Sequence, residues 1–459
     1  MQMSARSRPD FAALLSFWML AGFLVILWIA GGASRADVSG QVVTRFFAWL
    51  LLIAYVVLSP RFDWRRVLPV AIFVGLAILV TAIQLIPLPP AIWTSLPGRS
   101  LFVQAAEIAG QPQPWRPISI SPSATVNALG SLIVPVTVLV LAANLNREQH
   151  RRIAGFLLIL VVAGCLLGLL KFSGARFDNP FINESLDMVS GNFANRNHFA
   201  LFIAIGCLLA PVWGFRGKKV VRWKAIAAVA VLPFFALLIL ATGSRMGLLV
   251  GAIGIAAGFL VMHRAVLREL RALPRSVAIG LVAGAVVAFV ALVALSVTLD
   301  RAVSITRAID LNASEDLRRR ALPVVLDMIG RYFPVGSGLG AFDPVYRITE
   351  PDRLLKYTYF NHAHDDWIEL VLDGGIVVAL LLAGAVLWWI AAGIRAWKRP
   401  ETDKFLPRTA FAMILLIMLA SIVDYPARTP MMMAILTLAG IWLGNASPER
   451  SQQGFALPA

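Results

Sequence analysis

Three short polar stretches interrupt an otherwise apolar chain, and each carries side chains that could do chemistry. In GNFANRNHFA (191 to 200), Asn195, Arg196, Asn197 and His198 stand in a row. So many hydrogen-bonding groups suit a polyoxygenated ligand, although an asparagine here can equally cap a helix. In TGSRMG (242 to 247), Arg245 sits in a turn of a few residues between two long apolar runs. Its guanidinium can grip a phosphate or pyrophosphate with two parallel hydrogen bonds, or snorkel to lipid head groups. In NHAHDDWIEL (361 to 370), His362 and His364 precede a helix on which Asp366, Glu369 and Asp373 share one face. A histidine at a helix mouth beside carboxylates can be held in one tautomer and act as general base. His-x-His with nearby aspartate could also ligate a metal, but the spacing fits no closed zinc pattern, so no metal is assigned. Lys171, Asp424 and Arg428 fall at the same level of the chain's spans, and His150 and His263, in basic linkers, read as solvated. GSGLGAF (336 to 342) lacks the strand and the Lys-Ser/Thr of a phosphate loop and reads as a tight turn.

The elements that must carry these residues are set by composition. The chain has 459 residues, 59% hydrophobic and 14% charged, with mean hydropathy +0.78. A water-soluble chain could not bury that much apolar surface. Apolar runs of membrane-crossing length recur near 11 to 31, 41 to 59, 67 to 88, 123 to 143, 153 to 171, 198 to 214, 225 to 242, 246 to 262, 277 to 299, 368 to 394, 409 to 423 and 429 to 444. The expectation is an all-α polytopic membrane protein of about twelve transmembrane helices; the runs do not alternate, which excludes an outer-membrane barrel. The last two runs are short enough to form a re-entrant pair.

With the N-terminus in the cytoplasm, the linkers RFDWRR, NREQHRR, FRGKKVVRWK, HRAVLRELRALPR and RAWKRPETDK all fall on that side. With the termini and Arg408, which precedes the span from 409, these segments hold 23 of the 41 Lys+Arg residues and 7 of the 25 Asp+Glu. The net +16 is therefore topogenic, as the positive-inside rule requires, and nucleic-acid binding is not expected. Cys165 and Cys207 lie inside apolar runs, so no disulfide framework is available. The first run is long and lacks a small-residue cleavage site, so no cleavable signal peptide is expected.

Four regions follow: helices 1 to 9 with a periplasmic loop at 89 to 122 (residues 1 to 299), a large periplasmic loop (300 to 366), helices 10 to 12 (367 to 445) and a cytoplasmic tail (446 to 459). The Pro- and Ser-rich 89 to 122 loop reads as extended turns. Within the large loop, 313 to 332 has a helical pattern with Leu317, Leu322, Val325, Met328 and Ile329 as its apolar face and Arg318, Arg319 and Arg320 at its start. That predicts a helix lying against the membrane.

In order, these motifs resemble the O-antigen ligase family, which includes O-antigen and exopolysaccharide polymerases. GNFANRNHFALF is similar to its Asn-Arg-Asn-His segment, and TGSRMGLLVG to its Ser-Arg turn. RRRALPVVLDMIGRYFPVGSGLGAF resembles its loop helix and Gly-x-Gly-x-x-x-Phe turn, and NHAHDDWIELVLDGGIVVALLL its His-Asn-Asp helix ending in glycine. The resemblance covers mainly residues 190 to 385. It implies an inner-membrane glycosyltransferase of the GT-C type, metal-independent, inverting and without a cofactor. The donor would be a glycan on a polyprenyl diphosphate, and the acceptor, met at the periplasmic face, lipid A core or a growing glycan. It further implies His364 as the catalytic histidine and Arg196 and Arg245 as contacts to the donor diphosphate. Asn195, Asn197, His198, His362, Asp366, Glu369 and Arg319 are candidate supports. Asp365 stands where Asn, Ser or Gln is common, and Gly375 with Val378 replaces a Gly-x-x-Gly, which keeps the polymerase form open beside the ligase form. A protein O-oligosaccharyltransferase and a transporter are the remaining alternatives; the scarcity of charges at span centres weighs against transport.

Overall fold

The computed structural model describes residues 11–58, 63–174, 178–183, 188–217, 220–272, 274–276, scattered positions from 279 to 291, 318–355, 360–398 and 405–445. Among them the chain is all-helical, with one isolated bridge between Leu88 and Arg116. The first half runs α1 (Phe11–Ala30), α2 (Ser39–Leu58), α3 (Leu68–Ile83), the short α4 (Pro90–Trp93) and α5 (Ser100–Ile108), α6 (Pro122–Ser131), α7 (Ile133–Ala143) and α8 (Arg147–Phe172). Then come α9 (Arg196–Phe215), α10 (Arg222–Thr242), α11 (Arg245–Arg271), α12 (318–332), α13 (Phe342–Thr349), α14 (Asp366–Lys398), α15 (Phe405–Ala420) and α16 (Pro430–Gly444).

Eight stretches among the described residues are long and apolar enough to cross a membrane: α1, α2, α6 continued by α7, α8, α9, α10, α11 and α14. The protein is a multi-pass membrane protein. The expected twelve spans are not all of full length: α3, α15 and α16 are shorter apolar helices of 16, 16 and 15 residues. Prolines set these limits, since Pro87 and Pro89 follow α3, while Pro426 and Pro430 divide α15 from α16. The run at 277 to 299 lies mostly outside the described residues. Large apolar side chains such as Phe46, Trp49, Ile53 and Val57 on α2 are exposed, as a lipid-facing helix requires.

The core is organised around α9, whose apolar window is 94% buried. It is enclosed by α8, α10, α11 and α15. Small residues allow that closeness: a Cβ at Gly254 of α11 would stand 2.5 Å from the Ala204 carbonyl oxygen, and one at Gly258 2.9 Å from that of Leu208. In a bilayer, where helices gain no hydrophobic drive by meeting each other, such backbone contact is a main source of association.

Three expectations are corrected. The 89 to 122 segment contains the helices α4 and α5, because Ser100 to Ile108 has uninterrupted helix-forming residues between Gly98 and Gly110. On α12 the buried stripe is Ala321, Val325, Met328 and Tyr332, packed with Phe342, Tyr346 and Phe360; Leu322 is exposed and Ile329 half-buried. Leu317 lies outside the described residues. His150 is buried, with Nδ1 accepting from the Trp442 indole at 3.1 Å, because a capping box of Asn146 and Gln149 starts α8 ahead of it and draws it into the bundle.

Within Asp366–Lys398, α14 is two helices joined at Gly375, with φ 59° and ψ −149°. Only glycine adopts that region readily. A Cβ there would meet the Pro334 carbonyl oxygen, which accepts from Ile376 N at 2.8 Å. The break sets Asp366 to Gly374 apart as a short helix carrying the three carboxylates.

Candidate functional site

The break in α14 and the turn between α15 and α16 bring the polar stretches together at one end of the bundle. Asp366 N donates to the Ser421 carbonyl at 2.9 Å, so the turn sits beneath the mouth of α14. Asp365 caps that helix, its Oδ1 accepting from Ile368 N at 3.0 Å. Asparagine and serine do the same work at an N-cap, so this departure from the family pattern preserves the local geometry.

At the centre is Asp424, which is fully buried. Its Oδ2 accepts from the amides of Asn195 at 3.0 Å and Asn197 at 2.6 Å. Its Oδ1 faces His364 Nδ1 at 3.3 Å and His198 Nε2 at 3.6 Å, and accepts from Tyr425 N at 3.0 Å. Burial pushes the Asp424 carboxyl up, but the hydrogen bonds and charges of His198 and His364 outweigh it and hold the group well below the usual carboxylate range. The reciprocal balance at His364 goes the other way: burial lowers its imidazole, and Asp424 only partly offsets that. His364 is also the only non-glycine residue at positive φ among the described residues, 54°. Such conformations cost of order 1–3 kcal/mol and persist where surroundings over-determine them.

A second knot lies beside the first. His362 Nδ1 meets Glu369 Oε1 at 2.9 Å, and Ala363 N donates to Glu369 Oε2 at 2.7 Å. Arg428 joins two carboxylates, Nη1 to Glu369 Oε1 at 3.1 Å and Nε to Asp366 Oδ1 at 3.1 Å, while Ser421 Oγ donates to Asp366 Oδ2 at 2.9 Å. The Tyr425 ring touches all three imidazoles, with centroids 4.2 Å from His362, 4.9 Å from His364 and 5.2 Å from His198. Asp373, farther along, ties in the glycine turn, accepting from Gly340 N at 2.9 Å and Ser337 Oγ at 3.2 Å. Gly336, Gly338 and Gly340 there all have positive φ, consistent with a tight turn.

Of the residues singled out in the sequence, Asn195, Asn197, His198, His364 and Asp424 therefore meet directly, and His362, Asp366, Glu369 and Arg428 form the adjoining knot. Asn195 serves both readings made of it: its Oδ1 caps α9 through Asn197 N at 2.8 Å while its amide reaches Asp424. Arg196 lies against the turn that precedes Arg245, since a Cβ at Gly243 would stand 3.4 Å from Arg196 Nη1. Arg245 opens α11 behind the Ser244 cap and is exposed; Arg196 is half-buried. Arg319 is exposed on α12, whereas its neighbour Arg318 reaches the site, donating to the Val423 carbonyl at 3.2 Å. Asp424, Arg428 and Tyr425 had no assigned role in the sequence reading; the available signal was polar residues held between two short apolar helices. Among the described residues, no group of three His, Cys, Asp or Glu side chains is placed to hold a metal ion.

In chemical terms, the arrangement offers an imidazole held through one ring nitrogen by a buried carboxylate, with Arg196 and Arg245 opening their helices at the same end of the bundle. Residues 231–383 match the family model described as O-antigen ligase, and this match supports an O-antigen ligase family assignment. No curated protein matches the chain.

Proposed function

We propose, taking the O-antigen ligase family assignment as premise, that the protein is an inner-membrane glycosyltransferase. It moves a glycan from a polyprenyl-diphosphate carrier to an acceptor hydroxyl at the periplasmic face. The observation that carries this reading is the contact between Asp424 Oδ1 and His364 Nδ1. A carboxylate there accepts the Nδ1 proton and leaves the Nε2 lone pair for the acceptor hydroxyl. Glu369 holds His362 Nδ1 in the same way, but that carboxylate is also ion-paired with Arg428, and the family motif assigns the base to His364.

The step is a single displacement. His364 Nε2 takes the hydroxyl proton as that oxygen bonds to the anomeric carbon, the bond from that carbon to phosphate breaks, and the diphosphate leaves with the electron pair. Arg196 and Arg245 stabilise the departing charge, which needs cationic donors aimed where charge develops. Inversion at the anomeric carbon follows, and because the arginines fill the electrostatic role the reading assigns no metal and no cofactor. Asn195, Asn197 and His198 hold Asp424, and Asp366, Glu369 and Arg428 hold the loop that carries His364. Orientation rests on the basic linkers, which put this end of the bundle outside.

Lipid A core is the acceptor in the ligase form of this reading. The Gly375 and Val378 pattern favours keeping polymerase activity, with a growing glycan as acceptor, as the second form. Transfer by purified protein to a defined acceptor, run with a chelator, tests the reading: His364→Ala abolishes turnover and leaves donor binding intact. Full turnover by that variant, or loss of parent activity on chelation, refutes it. Surface glycans of a deletion strain separate the two forms. A lost ligase leaves unmodified lipid A core and a full ladder on the carrier; a lost polymerase leaves single repeats.

A further inference from the structure

A cavity of about 210 Å³ adjoins the site, sharing Asn195, His198 and Tyr425 with it. Its walls come from the α1–α2 loop (Gly32 to Arg35), the segment before α9 and the loop before α14. These walls are fixed to one another: Ala194 N donates to the Gly32 carbonyl at 3.1 Å, Gln41 Nε2 to Ala33 O at 2.8 Å, Asn179 Nδ2 to Ile29 O at 2.8 Å and Asn192 Nδ2 to Trp28 O at 2.9 Å. A cavity with such walls is formed before anything binds, as small-molecule sites usually are.

From this lining we infer that the cavity is the subsite for the acceptor sugar that presents the attacking hydroxyl, an inference that rests on the transferase reading above. Ser34, Asn183, Asn195, His198 and Asn361 offer hydroxyl, amide and imidazole groups, and Tyr425 adds an aromatic ring. Such neutral groups both donate and accept, as do sugar hydroxyls. The nearest cation, Arg35, already faces the Asp37 carboxylate through two nitrogens, which leaves a poor match for a phosphate. Neither Arg196 nor Arg245 is among the lining residues, so the cavity is separate from the proposed diphosphate contacts. Its volume is below the ~300–1,000 Å³ of sites that enclose drug-sized ligands and suits one sugar ring. His198, 1% exposed, has an Nδ1 without a hydrogen-bond partner among the described residues, while its Nε2 shares Asp424 Oδ1 with His364. The imidazole thus brings a polar side chain to the cavity wall beside the shared carboxylate. The shared carboxylate and the Tyr425 ring put the subsite one side chain from the proposed base.

The test uses the full-length protein in nanodiscs, with methyl glycosides of glucose, galactose, mannose and heptose as probes in saturation-transfer NMR. Ala194→Leu fills the cavity from its wall, and Asn183→Trp fills it from an exposed rim position where folding is not at risk. At least one glycoside shows saturation transfer with the parent protein, and both variants lose it. In the transfer assay the same variants raise the acceptor KM about 10-fold or more, the loss of one to two hydrogen bonds, with kcat and donor KM within about 3-fold. No glycoside signal, a signal unchanged in Asn183→Trp, displacement by pyrophosphate, or a raised donor KM each overturns the assignment. A parent protein that binds glycosides in this cavity yet transfers nothing overturns the transferase reading and leaves the sugar site standing.

Discussion

Replacing Asp424 by asparagine tests the base assignment most directly, because no orientation of the new amide fits the site. If its NH2 takes the place of Oδ2, it faces the amide donors of Asn195 and Asn197, at 3.0 and 2.6 Å. If it takes the place of Oδ1, it faces His364 Nδ1 at 3.3 Å and the Tyr425 N–H at 3.0 Å. The second orientation forces His364 Nδ1 to accept, which moves the imidazole proton to Nε2 and removes the lone pair that should take the hydroxyl proton. The first leaves two buried donors unsatisfied, at about 1–3 kcal/mol each, against the single Tyr425 N–H in the second, so the second is adopted. Since a positioned base contributes about 10²- to 10⁴-fold, kcat in Asp424→Asn falls by that factor, while donor binding is retained.

The pH profile separates this effect from mere loosening of the fold. Burial already lowers the His364 imidazole, so the acid limb of kcat in the parent lies below the ordinary histidine value of about 6.5. Asp424 favours the protonated imidazole and so opposes that shift. Removing its charge lowers the imidazole further, and the residual activity of Asp424→Asn keeps its plateau to more acid pH than the parent. The assay is steady-state transfer from a polyprenyl-diphosphate glycan by purified protein across pH 4 to 9, with a thermal melt as folding control. A kcat within 3-fold of the parent, or an acid limb that moves to higher pH, refutes the pairing.

His362→Ala is milder than His364→Ala in kcat, because in this reading His362 only helps Glu369 hold the loop that carries His364; the two single variants in one transfer assay decide this. Arg245→Lys keeps the charge but loses the planar fork, so it loses most activity, and Arg245→Ala binds polyprenyl diphosphate more weakly, which a direct binding assay reads. Gly375→Ala costs of order 1–3 kcal/mol for its backbone conformation and more for the contact with Pro334, so its melt shifts sharply downward; an unchanged melt refutes the account of the α14 break. Asp327→Cys, exposed on α12, labels in intact cells with a membrane-impermeant thiol reagent, whereas labelling only after the inner membrane is broken overturns the topology.

The spans, the polar stretches and the glycine turn were legible because each depends on local chemistry: long apolar runs, caps and breaks. Asn195 as a cap follows from its side-chain chemistry, and the three carboxylates of α14 on one face from the helical period. What was not legible depends on contacts between distant positions. Asp424 meets Asn195 across 229 residues, and Arg428 meets Asp366 across 62; no spacing rule encodes either pairing. The apolar face of α12 was misjudged by one position, since Leu322 and Ala321 are neighbours and only packing on Phe342, Tyr346 and Phe360 decides which turns inward. His150 read as solvated because its basic neighbours hide the capping box that draws it under Trp442.

The position of Asp424 has a consequence for biosynthesis. Its partners Asn195, Asn197 and His198 are made early, His364 much later, and the carboxylate itself only after α15 has emerged. Chains assemble from the N-terminus forward. A ribosome-bound intermediate can therefore contain every histidine of the proposed site, with Arg196 and Arg245, and still lack the group that fixes the base tautomer. In the proposed mechanism catalytic competence arrives only as the last pair of helices docks, so an incompletely inserted chain cannot consume lipid-linked glycan.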